Sequence, residues 1–149
     1  MGVVSVSVDR RTGVELTFRV LSGWVERLVG LLGTGPGAMP VVLMRCSSIH
    51  TFGMRYPIDV AFVDSEGRVL ATRRSLFPRQ LLASRDAYCV FERPSSLAPW
   101  LEAGDRISLT SFGYGGELTD KRKDGCYARH RCGGTRHEGL PEVRGAALR

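Results

Sequence analysis

Between Cys46 and Val60 the chain reads CSSIHTFGMRYPIDV, a stretch that sets a thiol, several hydroxyls, an imidazole, a guanidinium and a carboxylate close together. Such groups could form a small polar pocket in which Arg55 recognises an anionic group, His50 exchanges a proton and Asp59 orients one of them. Cys46 and His50 lie four residues apart, which raises a nucleophilic thiol, but such a pair needs hydrogen-bond contact and a lowered thiol pKa. The competing reading is structural. Arg55 and Asp59 can pair, while Ser48 and Thr51 satisfy backbone groups left open by a turn, and Phe52 and Met54 belong to the core. Further along, Glu92 ends the apolar run AYCVFE, where a carboxylate must be solvated or paired, and one of the arginines is available to it. Asp64 and Asp105 sit in DSEG and EAGDRI, both turn-like contexts.

These groups need a scaffold, and the surrounding periodicity supplies one. VVSVSV and VELTFRV alternate with period two around DRRTG, which predicts an N-terminal β-hairpin. Ser22 can cap an amphipathic helix with apolar positions Trp24, Val25, Leu28, Val29, Leu31 and Leu32, ended by GTGPG and suited to covering a sheet. MPVVLMRC and PIDVAFVD read as buried central strands, and DSEG turns the second into RVLAT. Pro57 keeps Tyr56 out of the helical region and Gly53 permits a bend, so HTFGMRYP becomes an irregular turn at one end of the sheet. RRSLFPRQLLASRD lacks a clean period and contains Pro78, which predicts a loop. AYCVFER is another buried strand, SSLAPWLEAGD a short helix or turn, and RISLTSF a last strand with Ile107 and Leu109 facing one way. The expected fold is mainly β: a compact β-sandwich or barrel-like domain over residues 1–113, with one or two short helices. A disordered, basic, Gly-rich tail is expected over 114–149.

Composition narrows the function classes. A chain of 149 residues accommodates one domain with a sizeable core. No apolar run reaches the roughly 18 residues of a membrane span, and no secretion signal opens the chain, so a cytoplasmic protein without membrane contact is expected. The net charge of +6 is not gathered into a block, and the basic tail is almost without aromatic residues, which disfavours a nucleic-acid partner. No glycine-rich loop leads from a strand into a helix, and no cofactor is expected. Cys126, His130, Cys132 and His137 could ligate zinc, yet their spacing lacks paired two-residue knuckles, so no metal is expected either.

The order ERLVGLLG, CSSIHTFGMRYPIDVAFVDSEGRVL, AYCVFE and LEAGDRI resembles a widespread prokaryotic family, the domain of unknown function 192. The resemblance covers roughly Leu16 to Leu109, and its most specific part runs from His50 to Asp59, followed by an apolar strand and the turn at Asp64 to Gly67. It implies a compact β-sandwich or barrel-like domain and no established activity. The matching positions are His50, Thr51, Met54, Arg55, Pro57, Asp59, Glu92 and Asp105. RPSS after Glu92 departs from the family's small apolar residue and glycine, and the tail lies outside the pattern.

The first functional expectation is therefore a binding module whose pocket, formed by His50, Thr51, Met54, Arg55, Asp59 and Glu92, holds a small polar or anionic ligand. A second is a small hydrolytic or acid–base enzyme using His50 with Asp59 or Glu92. A third is an adaptor that docks a protein partner through a sheet edge or the tail.

Overall fold

A computed structural model describes residues 2–114. The tail cluster of Cys126, His130, Cys132 and His137 lies outside the described residues. Strands β1 (Gly2–Val8) and β2 (Glu15–Leu21) form the expected hairpin. Helix α1 (Trp24–Val29) leads over to β3 (Val41–Met44), which lies parallel to β2. There follow β4 (Ser48–His50), β5 (Ile58–Val63), β6 (Val69–Leu76), β7 (Leu81–Ala83), β8 (Cys89–Pro94) and β9 (Ile107–Tyr114). Seven strands make one sheet in the order β6-β5-β8-β3-β2-β1-β9, and β4 pairs with β7 separately.

The sheet is buried on both sides at its centre, which explains why β5 and β8 carry almost continuous apolar sequence. Period-two alternation divides their residues between two cores. Phe18, Val42, Ala61, Val63, Phe91, Trp100 and Leu101 fill one face, with Phe18 and Phe91 edge to face at 4.7 Å. Val41, Leu43, Ile58, Val60, Phe62 and Val90 fill the other, under Ile49 of β4 and Leu31. The β4–β7 pair thus forms a partial second layer, giving a sandwich-like fold.

The barrel expectation stops short of closure. Edge strands β6 and β9 approach at one end, where Arg68 and Arg106 form an isolated bridge and Ile107 N–H donates to Gly67 O at 2.8 Å. Gly67 has φ +80°, and a Cβ there would stand 2.8 Å from the carbonyl oxygen of Ile107, so this approach requires glycine.

Three local readings are corrected. The helix is only six residues long and is capped at Gly23, whose N–H donates to Glu26 Oε2 at 3.1 Å, rather than at Ser22. Gly30 ends it with φ +50°, so the apolar repeat continues past the helix: Leu31 is buried, while Trp24, Val25, Leu28 and Val29 remain exposed. The segment read as a loop extends β6 to Leu76 and then supplies β7. Its period was hidden because Arg73 and Arg74 lie in an exposed edge strand and the register shifts opposite Ile58 to Val60, with Ser75 at φ +52°. SSLAPWLEAGD forms turns that send Trp100 and Leu101 into the first core. In the last strand Ile107 packs on that core, whereas Leu109 is exposed next to a register shift in the β1–β9 pairing. Among the described residues no helix is long and apolar enough to cross a membrane.

Candidate functional site

The predicted site residues separate into two groups because neighbouring strand residues point to opposite faces. Asp59, between Ile58 and Val60, and Arg93, after Glu92, are paired across β5 and β8. Asp59 is fully buried. Its Oδ2 accepts from Arg93 Nε at 2.9 Å and lies 3.3 Å from Arg74 Nε. Oδ1 accepts from Ser75 N–H at 2.9 Å and from Ser95 Oγ at 3.0 Å. Burial alone would raise this carboxyl, but those four partners outweigh it and hold the group below the usual 3.8. Arg93 also donates to the carbonyls of Ala98 and Pro99 and stacks over Trp100, 4.5 Å from the ring centroid. Asp59 is therefore the centre of a saturated buried ion-pair knot. The expected Arg55–Asp59 pair is not made: Arg93 and Arg74 occupy the carboxylate, and Arg55 is exposed.

Thr51 is saturated in the same sense. Its hydroxyl donates to Phe77 O at 2.8 Å and accepts Gln80 N–H at 2.9 Å, tying the turn after β4 to the turn before β7. Asp64 accepts the N–H groups of Glu66 and Arg68, each at 2.9 Å, and Asp105 accepts from Glu102 N–H and from Arg11. These carboxylates close turns.

His50, Met54 and Glu92 meet elsewhere, in a cleft of about 500 Å³ between α1, the end of β3 and the β4–β7 pair. The parallel β2–β3 connection carries α1 and Gly30 across this face. Glu92 lies in the central strand between Val41 of β3 and Val60 of β5, both fully buried. Its residue is 5% exposed, and among the described residues its carboxylate has neither a hydrogen-bond donor nor an ion-pair partner. Burial pushes its pKa from 4.5 up to about 7. No arginine serves it among the described residues, and the neighbouring Arg93 is turned by strand alternation to the opposite face. Gly30 lets the chain pass close to the carboxylate: a Cβ there would stand 3.1 Å from Glu92 Oε2.

Around this floor, Leu31, Leu43, Ile49, Met54 and Ile58 supply aliphatic walls. Arg45, Ser47, Ser48 and Leu81 form part of the exposed rim. Half-buried His50 contributes an Nδ1 that is itself buried and has no hydrogen-bond partner among the described residues. Cys46 Sγ donates to Ser48 O at 3.0 Å, so the geometry contains no Cys46–His50 hydrogen bond. Arg27 reaches from α1 to donate to the carbonyls of Met44 and Arg45, both at 2.9 Å.

No family model matches the chain, and no curated protein matches it. Solved structures do. The fold is similar to that of a protein of unknown function from Novosphingobium aromaticivorans DSM 12444, at 21% identity and TM-score 0.58, covering 71% of this chain and 84% of that one. It is also similar to a "putative transcription regulator" from Sinorhizobium meliloti 1021, at 18% identity and TM-score 0.57, covering 72% of this chain and 92% of that one. At these identities the likeness establishes the fold alone.

Arg27, Gly30 and Arg45 of the cleft were not anticipated. Gly30 was detectable as a glycine closing an apolar helical repeat, but its approach to Glu92 is a tertiary contact. Arg45 has φ +52° at the end of β3, a conformation that arginine rarely takes and that its sequence neighbours do not announce.

Proposed function

We propose that this chain is a binding module of the domain of unknown function 192 family, and that it holds a small polar ligand in the cleft floored by Glu92. The family affiliation rests on the His50 to Asp59 motif. The observation that carries the binding reading is the buried carboxylate without a partner, open to a cleft whose other deep walls are aliphatic. Buried polar groups are almost always satisfied, and the Asp59 knot in the next layer of the same strands follows that rule. Glu92, only 5% exposed, has no protein donor among the described residues, and the cleft of about 500 Å³ above it gives a ligand room to supply one. Relative to the pocket expected from sequence, the binding residues are His50, Met54 and Glu92, while Thr51 and Asp59 support the scaffold and Arg55 faces solvent.

An acid–base enzyme is the second reading, favoured by the presence of His50 in the same cleft as a carboxyl that titrates near neutrality. Asp59 is unsuited to that role because its partners hold it ionised on the other face.

The test is a chemical-shift survey of the full chain with a diverse set of amines, carboxylates, sugars and nucleosides. The expected result is saturable movement of the amide resonances of Gly30, Leu43, Cys46 and His50, with those of Ser75 and Ser95 at the Asp59 knot unchanged. Absence of any saturable shift at the cleft across the whole set would overturn the binding reading. Consumption of a bound compound by wild type but not by His50→Ala would favour the enzyme.

A further inference from the structure

We propose that the cleft is built for an aliphatic amino acid of the ω type, with its ammonium group on Glu92, its hydrocarbon chain along Leu31, Leu43 and Ile58, and its carboxylate at Arg45. This inference rests on the binding-module reading and names the ligand class of that same site.

The floor comes first. Glu92 is an acceptor with no donor, and the nearest backbone approach, at Gly30, offers a Cα face rather than a polar group. A ligand group that satisfies the carboxylate must donate hydrogen bonds, and one that also carries positive charge gains the stronger, charge-assisted contact. A carboxylate or phosphate at this depth would meet a like group, and a sugar would bring hydroxyls that the aliphatic walls cannot partner. A compact ammonium has three donors and no acceptor, which matches what the floor lacks.

The walls and the mouth decide the remainder of the molecule. Between Glu92 and the rim the lining is Leu31, Leu43, Ile49, Met54 and Ile58, which favours methylene groups behind the head. At the mouth two guanidinium groups would repel a simple alkylamine as it entered. Arg27 is committed to the carbonyls of Met44 and Arg45, whereas Arg45 itself is exposed. A trailing carboxylate converts that repulsion into attraction and gives the ligand a direction. The charged or titratable groups facing the cleft are thus Arg27 from α1, Arg45 and Cys46 after β3, His50 from β4 and Glu92 from β8. A carboxyl that a bound ammonium would ionise lies at the floor, and permanent positive charge lies at the entrance.

The experiment is calorimetric titration of the full chain with linear ω-amino carboxylates of increasing length. Alkylamines and alkyl carboxylates of matched length serve as controls, against wild type, Glu92→Gln and Arg45→Ala. Wild type should bind the best amino carboxylate at least about tenfold more tightly than either one-headed control. Glu92→Gln should lose at least about tenfold for every amine, and Arg45→Ala should lose the preference for the amino carboxylate over the alkylamine. In mildly acidic buffer, wild-type binding should release a proton, because the ammonium draws Glu92 into its ionised form, and this release should vanish in Glu92→Gln. If Glu92→Gln does not fold, the proton release by wild type and the loss of preference in Arg45→Ala keep the test available. Amine binding unchanged in Glu92→Gln, or alkyl carboxylates binding as tightly as amino carboxylates, would overturn the inference. Cleft shifts with sugars, nucleosides or carboxylates but with no amine would overturn it while leaving the binding module standing. Silence of the cleft toward every probe would remove both.

Discussion

Replacing Glu92 by Gln tests the floor of the cleft through stability alone, with no ligand present. The carboxyl titrates at about 7 in the folded chain against an ordinary 4.5, the only cause being its removal from water. At 1.36 kcal/mol per pH unit, that difference corresponds to about 3 kcal/mol. The sign follows from proton binding. Between the two values the folded state keeps the Glu92 proton while the unfolded state has lost it, so raising the pH favours unfolding. Above about pH 7 the full penalty is present, and below about pH 4.5 it is absent. Gln cannot titrate and is close in shape to the protonated acid. Urea unfolding of both proteins from about pH 4 to about pH 8.5 should therefore give curves that nearly coincide in acid. They should diverge as pH rises, until wild type has lost about 3 kcal/mol relative to the variant. Contributions from Asp59, Asp64 and the other carboxylates cancel in the difference. A difference that stays flat within about 0.5 kcal/mol would mean that the carboxylate is solvated or paired, and the argument for an open acceptor would fail.

The opposite behaviour is expected of the other buried carboxylate. Asp59 is held below 3.8, so its stabilisation is present above that value and is lost as the pH falls through its folded pKa. Asp59→Asn should cost about 3 kcal/mol by stranding Arg93, and should leave cleft shifts unchanged; loss of less than about 1 kcal/mol in urea unfolding would contradict the knot. Thr51→Val removes the group that links Phe77 O and Gln80 N–H at full burial, and should lower stability by about 1–3 kcal/mol in the same assay. Arg55→Ala should stay within about 0.5 kcal/mol of wild type, since the guanidinium is exposed; a larger loss would restore a structural role for it.

The architecture was readable wherever one physical signal dominated. Continuous apolar runs announced β5 and β8, and strict alternation announced β1 and β2, because burial on two faces or one leaves that trace directly in residue type. β6 was lost beyond Thr72, since an edge strand bears charged residues and its irregular register around Ser75 breaks the period of two. The helix was overextended for the reverse reason: the apolar repeat is real, but Gly30 redirects the chain and Leu31 reaches the core without being helical. For the site, residue types marked a polar region without assigning partners. Arg55 stood nearest to Asp59 in sequence, whereas Arg93 stands nearest in space, across a strand pairing that only the sheet order creates. No local pattern foretells that Gly30 would cross over Glu92.

Two adjacent residues of β8 carry the argument for function. Arg93 enters the first face, where an aspartate, two carbonyls and an indole ring meet it, so that both charges of the Asp59–Arg93 pair are matched. Glu92 enters the second face one residue earlier, between β3 and β5 and with comparable burial, and meets hydrocarbon. The fold is thus capable of supplying partners at this depth, so the open carboxylate is not explained by a general lack of donors. Removing it would relieve about 3 kcal/mol at neutral pH and above, a large fraction of the 5–15 kcal/mol that holds a typical domain together. A leucine would fit the aliphatic surroundings and carry no such penalty. That a carboxylate stands there instead, beneath a cleft with two arginines and an imidazole nitrogen that has no partner among the described residues, is what the proposed binding site requires: stability given up where a ligand can restore it.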